Sequence, residues 1–503
     1  MSATMKGLRY GWMIPLLWVA CLAAEGADSR LADAVEKRDP ETVRSLLQQR
    51  ADVNLRQADG ATALAWAAHW DELETAELLI RAGAEVNAAN DFGITPLSLA
   101  CTNGSAAMVE KLLRASADPN AALPTGETPI MTAARTGSLG AIKSLIAHGA
   151  HVNAATQRGQ TALMWAVAQK HPEAARVLIE HGADVSARSE AGFTPLLFAA
   201  RVGDLDAAWA LLAAGADVNA TTLDVGGAGV TTQYKNIGAI TSKKPMAEGM
   251  NPLLIASANG HEELSIFLLE KGADPNAADP NGFTALHYAI QKGASHIAGV
   301  QLDSLDAIAY MFRPNMLELI QALLAHGANP NARIAKAVRL PHSNTPRFGL
   351  LGVAPFLLAA ASYDAGLMRL LVASGADPLL GTEENTTPLM VAAGLGRYQD
   401  FAPGEERLAL EAAKLAAELG ADVNAVGENG YTALHGAAYV GAESIIQFLV
   451  EKGAKLDVKD EFEQTPLSIS QGIISPGIVD FSKKPFGPHE GAAKLLLRLG
   501  ATR

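Results

Sequence analysis

Three histidines, His148, His181 and His326, each stand directly before a glycine, and the first two lie 33 residues apart. Imidazoles recurring at one slot raise the question of a metal site. Ligating nitrogens must lie about 2 Å from one ion, whereas equivalent positions on neighbouring packed helices stand about 8–10 Å apart. A histidine ahead of a helix-ending glycine is explained without a metal, because it faces the negative end of the helix dipole. His148-Gly149-Ala150-His151 crosses such an end and fits a loop. The sequence holds no G-x-S-x-G, no H-E-x-x-H, no Walker motif and no paired C-x-x-C. Gly226-Gly227-Ala228-Gly229 lacks the lysine and helix start of a phosphate loop and reads as flexible loop. Nothing in these spacings calls for a cofactor or a metal. One repeated signal is basic: Ser242-Lys243-Lys244-Pro245 returns as Ser482-Lys483-Lys484-Pro485. Two exposed lysine pairs in an acidic chain suit contact with an acidic partner; two solvated loops alike by chance are the plainer alternative.

The elements that would carry such residues are seen best in Ser189–Ala220, SEAGFTPLLFAARVGDLDAAWALLAAGADVNA. Thr194 can cap a helix in which Pro195 takes the first turn, where a backbone N–H has no partner anyway. Leu196, Ala199 and Ala200 give it one apolar face, and Gly203 ends it. Asp204 opens a second helix with Ala208, Leu211 and Leu212 inward, and Gly215 stops it. Neither helix buries its stripe alone.

The neighbours recur at a fixed period. Gly149, Gly182 and Gly215 are spaced by 33, and stepping back reaches Ser116, Gly83 and Arg50. Thr95-Pro96-Leu97, Thr128-Pro129-Ile130, Thr194-Pro195-Leu196, Thr387-Pro388-Leu389 and Thr465-Pro466-Leu467 mark first helices, with Thr284-Ala285-Leu286-His287 and Thr432-Ala433-Leu434-His435 as variants. A 33-residue turn-helix-helix unit with a T-P-L-H-x-A core resembles the ankyrin repeat. Twelve units follow the first thirty residues. The resemblance implies an all-α solenoid of helix-turn-helix repeats with β-hairpin loops, acting as a binding scaffold. It makes His287 and His435 structural hydrogen-bonding residues. It also places the residue after that slot toward the concave face: Trp66, Leu99, Thr132, Trp165, Phe198, Ile255, Tyr288, Leu358, Val391, Gly436 and Ile469. Most of this stripe is packing. Trp66 and Trp165 exceed what packing needs, and Trp70 and Tyr439 fall on slots that are normally exposed. Aromatics on an accessible face are favoured binding anchors. The candidate partner-binding set is therefore Trp66, Trp70, Trp165, Phe198, Tyr288 and Tyr439, with Lys243, Lys244, Lys483 and Lys484.

Met1–Ala27 stands outside the repeats: Lys6 and Arg9, then an apolar run of 13 at Trp12–Ala24, then small residues. That is the layout of a secretory signal, too short to span a membrane. Cleavage after Ala24 or Gly26 is expected, and export to the periplasm or the exterior with it. Cys21 after Val19-Ala20 invites lipidation, but Trp18 stands where a lipobox carries leucine. Losing residues 1–26 moves the net charge from −13 to −14, so the chain as a whole should repel nucleic acid and anionic lipid. Cys101 then remains alone, at a packing position, so no internal disulfide holds the expected monomer together.

From 28 to 220 the repeats run without insertion; beyond, extra residues fall near 221–250, 294–315, 334–348, 397–409 and 473–489. The first and third of these lengthen the hairpin side, and the others separate first from second helices. Insertions in a repeat array often mark its binding face. The chain therefore reads as an exported scaffold that binds a protein through concave face, hairpin tips and insertions. The rival is an enzyme or small-ligand site built by the insertions, where His296, His342 and His489 lie, each in a different one.

Overall fold

The computed structural model describes residues 29–222, 249–290, 314–336, 351–397, 400–428, 430–473 and 488–502. The residues 1–27, the loop carrying Lys243 and Lys244, and the loop carrying Lys483 and Lys484 lie outside these, as do His296 and His342. Twelve pairs of helices occupy the described residues, from Arg30–Glu36 with Pro40–Gln48 to Pro466–Ser470 with Glu490–Arg498. The local reasons for them are those of the sequence. Thr194 Oγ1 accepts from the Leu197 N–H at 3.4 Å, and Pro195 opens the helix. Gly203 closes it in the left-handed region, and Asp204 Oδ1 accepts from the Ala207 N–H at 3.0 Å to start the next.

The chain divides into two compact units, Met1–Glu190 with Trp209–Gly215, and Ala191–Ala208 with Ala216–Arg503. In the first, the helices Ala63–His69, Pro96–Thr102, Pro129–Thr136 and Ala162–Ala168 pack one on the next. In the second, the same succession runs from Pro195–Val202 through Pro252–Asn259, Ala285–Ala289, Pro355–Ala361, Pro388–Ala392 and Ala433–Tyr439 to Pro466–Ser470. Alanine and leucine fill these layers: Ala100, Leu112, Leu145 and Leu178 in the first unit and Leu254, Leu319, Leu371 and Leu449 in the second are sealed from solvent. Cys101 shares that core, and burial pushes its thiol up to about 12.

In eight of the repeats an asparagine ties the turn to the next, Ser186 and Asp457 standing at the same slot in two others. Asn54 Nδ2 donates to the Gly83 carbonyl at 3.2 Å while its Oδ1 accepts from the Glu85 N–H at 2.7 Å. Asn87, Asn120 and Asn153 repeat this bidentate rung in the first unit. Asn219, Asn276, Asn331 and Asn424 repeat it in the second. At the next slot after Asn331 stands Leu379, whose side chain is 54% exposed and has no amide to offer.

One expectation is corrected. The hairpin loops form no strands among the described residues; only single bridges, Ala155 to Thr161 and Ala278 to Thr284, occur. Each arm is too short for a ladder, because a side chain closes the turn instead: Asn90 Oδ1 accepts from both the Phe92 and Ile94 N–H groups. Tip then bonds to tip, as in Asp91 N–H to the Asp59 carbonyl at 3.1 Å. The insertion placed near 397–409 runs into the second helix of its repeat. Its latter part is helix, Glu405–Glu418, because Glu405 and Glu406 favour a helix start and the residues beyond are good helix formers. No helix among the described residues is long and apolar enough to cross a membrane.

Candidate binding surface

Trp66 and Trp70 occupy one face of a helix because they are four residues apart. Thr62 fixes its start, Oγ1 accepting from the Ala65 N–H at 3.3 Å, and Trp70 is its C-cap. The two indoles stack with centroids 6.3 Å apart and planes 19° from parallel. The His69 ring stands edge-on to both, at 4.5 Å from Trp70 and 5.6 Å from Trp66. Trp66 is half-buried and Trp70 is 40% exposed.

A polar chain holds the buried member of the pair. Trp66 Nε1 donates to Gln57 Oε1 at 2.6 Å, and Gln57 Nε2 donates to Asp33 Oδ1 at 2.8 Å and Glu36 Oε2 at 2.7 Å. On the other side the Arg38 guanidinium lies 5.8 Å from the Trp70 ring centre, its Nε 3.0 Å from Glu72 Oε1. The patch is thus a fixed aromatic platform edged by carboxylates. Gln57, Glu36 and Arg38 were not legible as part of it, since they come from the preceding repeat and its turn.

Trp165, three repeats on in the same unit, has different surroundings. Arg135 lies 5.5 Å over its ring and pairs with Glu127 at 3.5 Å, and Glu127 also accepts from the Thr132 hydroxyl at 2.9 Å. Its indole N–H is buried with no hydrogen-bond partner. The residue nine before Trp165 is Thr156, too short to repeat the role that Gln57 plays for Trp66.

The remaining aromatic candidates belong to the second unit, and one is withdrawn. Phe198 is only 5% exposed, because Phe193 packs on it at 5.2 Å and Arg201 covers it at 4.9 Å. It is core, not an anchor. Tyr288 is half-buried and tethered, its hydroxyl donating to Asp279 Oδ2 at 2.9 Å and its ring stacked on Phe283 at 5.5 Å. Tyr439 is half-buried, and its carbonyl accepts from His489 Nε2 at 3.0 Å. Trp209, 55% exposed, was passed over in the sequence. The signal was present: with Ala208, Leu211 and Leu212 inward, position 209 points away from the core.

The histidines take structural posts. His148, His181 and His326 each place Nδ1 at 2.8 Å from the carbonyl four residues back, at the helix C-terminus. His287 and His435 are buried, Nδ1 facing the Thr284 and Thr432 N–H groups at 3.2 and 3.1 Å and Nε2 reaching the Val353 and Gln464 carbonyls. Burial holds both below the ordinary histidine range. His489, one candidate of the rival enzyme reading, starts the last helix and lies 3.5 Å from Asp400. Near it Arg397 is held between the Tyr363 and Phe401 rings and pairs with Glu405 at 2.9 Å, a group whose charges are spent on each other. Among the described residues no cluster of three or more His, Cys, Asp or Glu is placed to hold a metal ion.

A family profile described as Ankyrin repeats (3 copies) matches residues 31–122, 107–189, 131–222, 232–304 and 356–460, well over half of the chain. With the helix pairs and the asparagine rungs, this settles the class: the chain belongs to the ankyrin-repeat family. It is 34% identical over 146 residues to the B-cell lymphoma 3 protein homolog of Mus musculus, covering 29% of this chain and 24% of that one. It is 33% identical over 221 residues to the neurogenic locus notch homolog protein 2 of Homo sapiens, covering 43% and 8%. It is 32% identical over 225 residues to the putative palmitoyltransferase ZDHHC13 of Danio rerio, covering 42% and 31%. In each case the chain spans less than a third of the relative.

Proposed function

We propose that this chain is an exported scaffold that binds a protein partner, with the Trp66–His69–Trp70 patch as its principal anchor. The carrying observation is that Trp70 is 40% exposed yet fixed, stacked on Trp66. A large apolar ring kept in water and pre-positioned is the feature that binding hot spots share, and its rigidity lowers the entropy lost on binding. Membership of the ankyrin-repeat family supports the scaffold role. The layout of Met1–Ala27 supports export, and the tip residue Phe92, 68% exposed, adds to the apolar surface offered. The loops bearing Lys243, Lys244, Lys483 and Lys484 would supply contacts to acidic groups of the same partner.

The test has two parts. The tagged full chain is expressed in a bacterial host and its N-terminus sequenced; a start near Ala27 supports export, and an intact Met1 or a lipid on Cys21 refutes this route. Proteins captured from envelope extracts by the parent are then compared with those captured by Trp70→Ala. A partner held by the parent and lost, by about 2 kcal/mol or more, in the variant supports the anchor. Equal capture removes it.

A further inference from the structure

The patch already carries a cation of the protein's own. Arg38 stands over Trp70 at 5.8 Å, inside the range where a guanidinium is attracted to an indole face, and is steadied there by Glu72. Arg38 is exposed, its side chain 62% accessible in this pose. Glu36, also exposed, is held toward the same platform through Gln57. Three carboxylates, Asp33 and Glu36 through Gln57 and Glu72 through Arg38, are tied to the platform against the one guanidinium of Arg38. An acidic margin around two stacked indoles, on a chain of net charge −13, disfavours an anionic ligand and favours a cationic one.

Resting on the protein-binding reading above, we infer that the patch recognises an arginine side chain in an extended basic segment of the partner. The incoming guanidinium takes the place of Arg38 on Trp70, with Glu72 as its counter-charge and Glu36 meeting the flanking basic residue. Arginine is specified over lysine because the planar fork stacks on the ring and pairs with a carboxylate at once, as Arg38 does. Arg38 is then an internal competitor that keeps the platform covered until a better cation arrives.

The probe is a fluorescently labelled Gly-Arg-Gly-Arg-Gly peptide, titrated by anisotropy into the full chain beside its Lys and Glu counterparts. The arginine peptide should bind saturably, the lysine peptide more weakly and the glutamate peptide not at all, and added salt should weaken binding. Trp70→Ala should weaken the arginine peptide by about fivefold, the scale of a cation–π contact at an exposed site, with circular dichroism unchanged because the ring is on the surface. Glu36→Gln should weaken it too, while Arg38→Ala should strengthen it. Equal binding of the three peptides, or weaker binding by Arg38→Ala, overturns the inference. If the arginine peptide fails while the captured partner still depends on Trp70, the scaffold reading stands and the basic ligand falls. If the partner also ignores Trp70, both fall.

Discussion

Acidification should loosen the repeat around His287, and the size of the effect can be worked out. Its Nδ1 accepts from the Thr284 backbone N–H at 3.2 Å with the Thr284 hydroxyl at 2.8 Å, and its Nε2 faces the Val353 carbonyl at 3.3 Å. A proton added at Nδ1 would confront an N–H donor and place an imidazolium in the core. Burial therefore pushes the group from 6.5 down to about 4, against the opposing pull of the Val353 and Ala332 carbonyls and the Asp279 charge. Because the folded value is the lower one, the unfolded chain binds more protons between those limits. Stability is intact above about 6.5 and is lost as pH falls toward 4. At 1.36 kcal/mol per pH unit, the full loss is about 3 kcal/mol. Amide hydrogen exchange of Leu286–Ile290, corrected for its chemical pH dependence, should show protection falling by about 2–3 kcal/mol between pH 7.5 and 4.5. In His287→Gln the fall should vanish. An unchanged parent, or an equal fall in the variant, would refute the argument.

Other expectations follow from the core, the turns and the rungs. Leu379→Asn should restore a missing rung and raise the urea midpoint, by about 1 kcal/mol of stability for two new hydrogen bonds at the surface, while Asn331→Ala should lower it. Leu145→Ala should cost about 2–5 kcal/mol, against less than about 0.5 for the exposed Lys143→Ala on the same helix; equal effects would deny that the alanine–leucine layer carries the fold. Gly149→Ala and Gly137→Ala both force a side chain into positive φ, a strain of about 1 kcal/mol. At Gly137 the new Cβ would also lie 2.6 Å from His171 Nδ1, whereas nothing lies within 4 Å at Gly149. Gly137→Ala should therefore lower the melting temperature more, and His171→Ala should relieve the excess.

The period-33 pattern was legible because its signals are local: a threonine cap, a proline in the first turn and a glycine at the end each act within a few residues. Thr194, Pro195, Gly203 and Asp204 do in the fold what their chemistry prescribes. Exposure along the aromatic stripe was less legible, because it depends on what the adjoining turn delivers. Trp66 and Phe198 hold the same slot, yet Gln57 anchors one by its edge and Phe193 with Arg201 covers the other. The Arg397, Tyr363 and Glu405 group was invisible for a related reason. Its members run from Tyr363 to Glu405 and meet across two adjoining repeats.

The same dependence explains why the patch lies at the start of the first unit. Helix Arg30–Glu36 is the first described, and it carries Asp33 in the slot that Trp66, Leu99, Thr132 and Trp165 hold in the following repeats, with Glu36 in that of His69, Thr102, Arg135 and Ala168. Charged residues there keep their hydration, so they cost little to retain and remain available to Gln57. Gln57 has one acceptor and two donor hydrogens, and all three are engaged: one indole and two carboxylates. Replacing it by a residue without both functions would free Trp66 to turn and separate the carboxylates from the ring. Gln57→Leu should therefore weaken a partner that uses the indoles and the carboxylates together, while one that needs only Trp70 would bind unchanged. That contrast, read as the ratio of affinities for parent and variant, separates an anchor made of one exposed ring from a platform whose charge and aromatic surface are held as a unit.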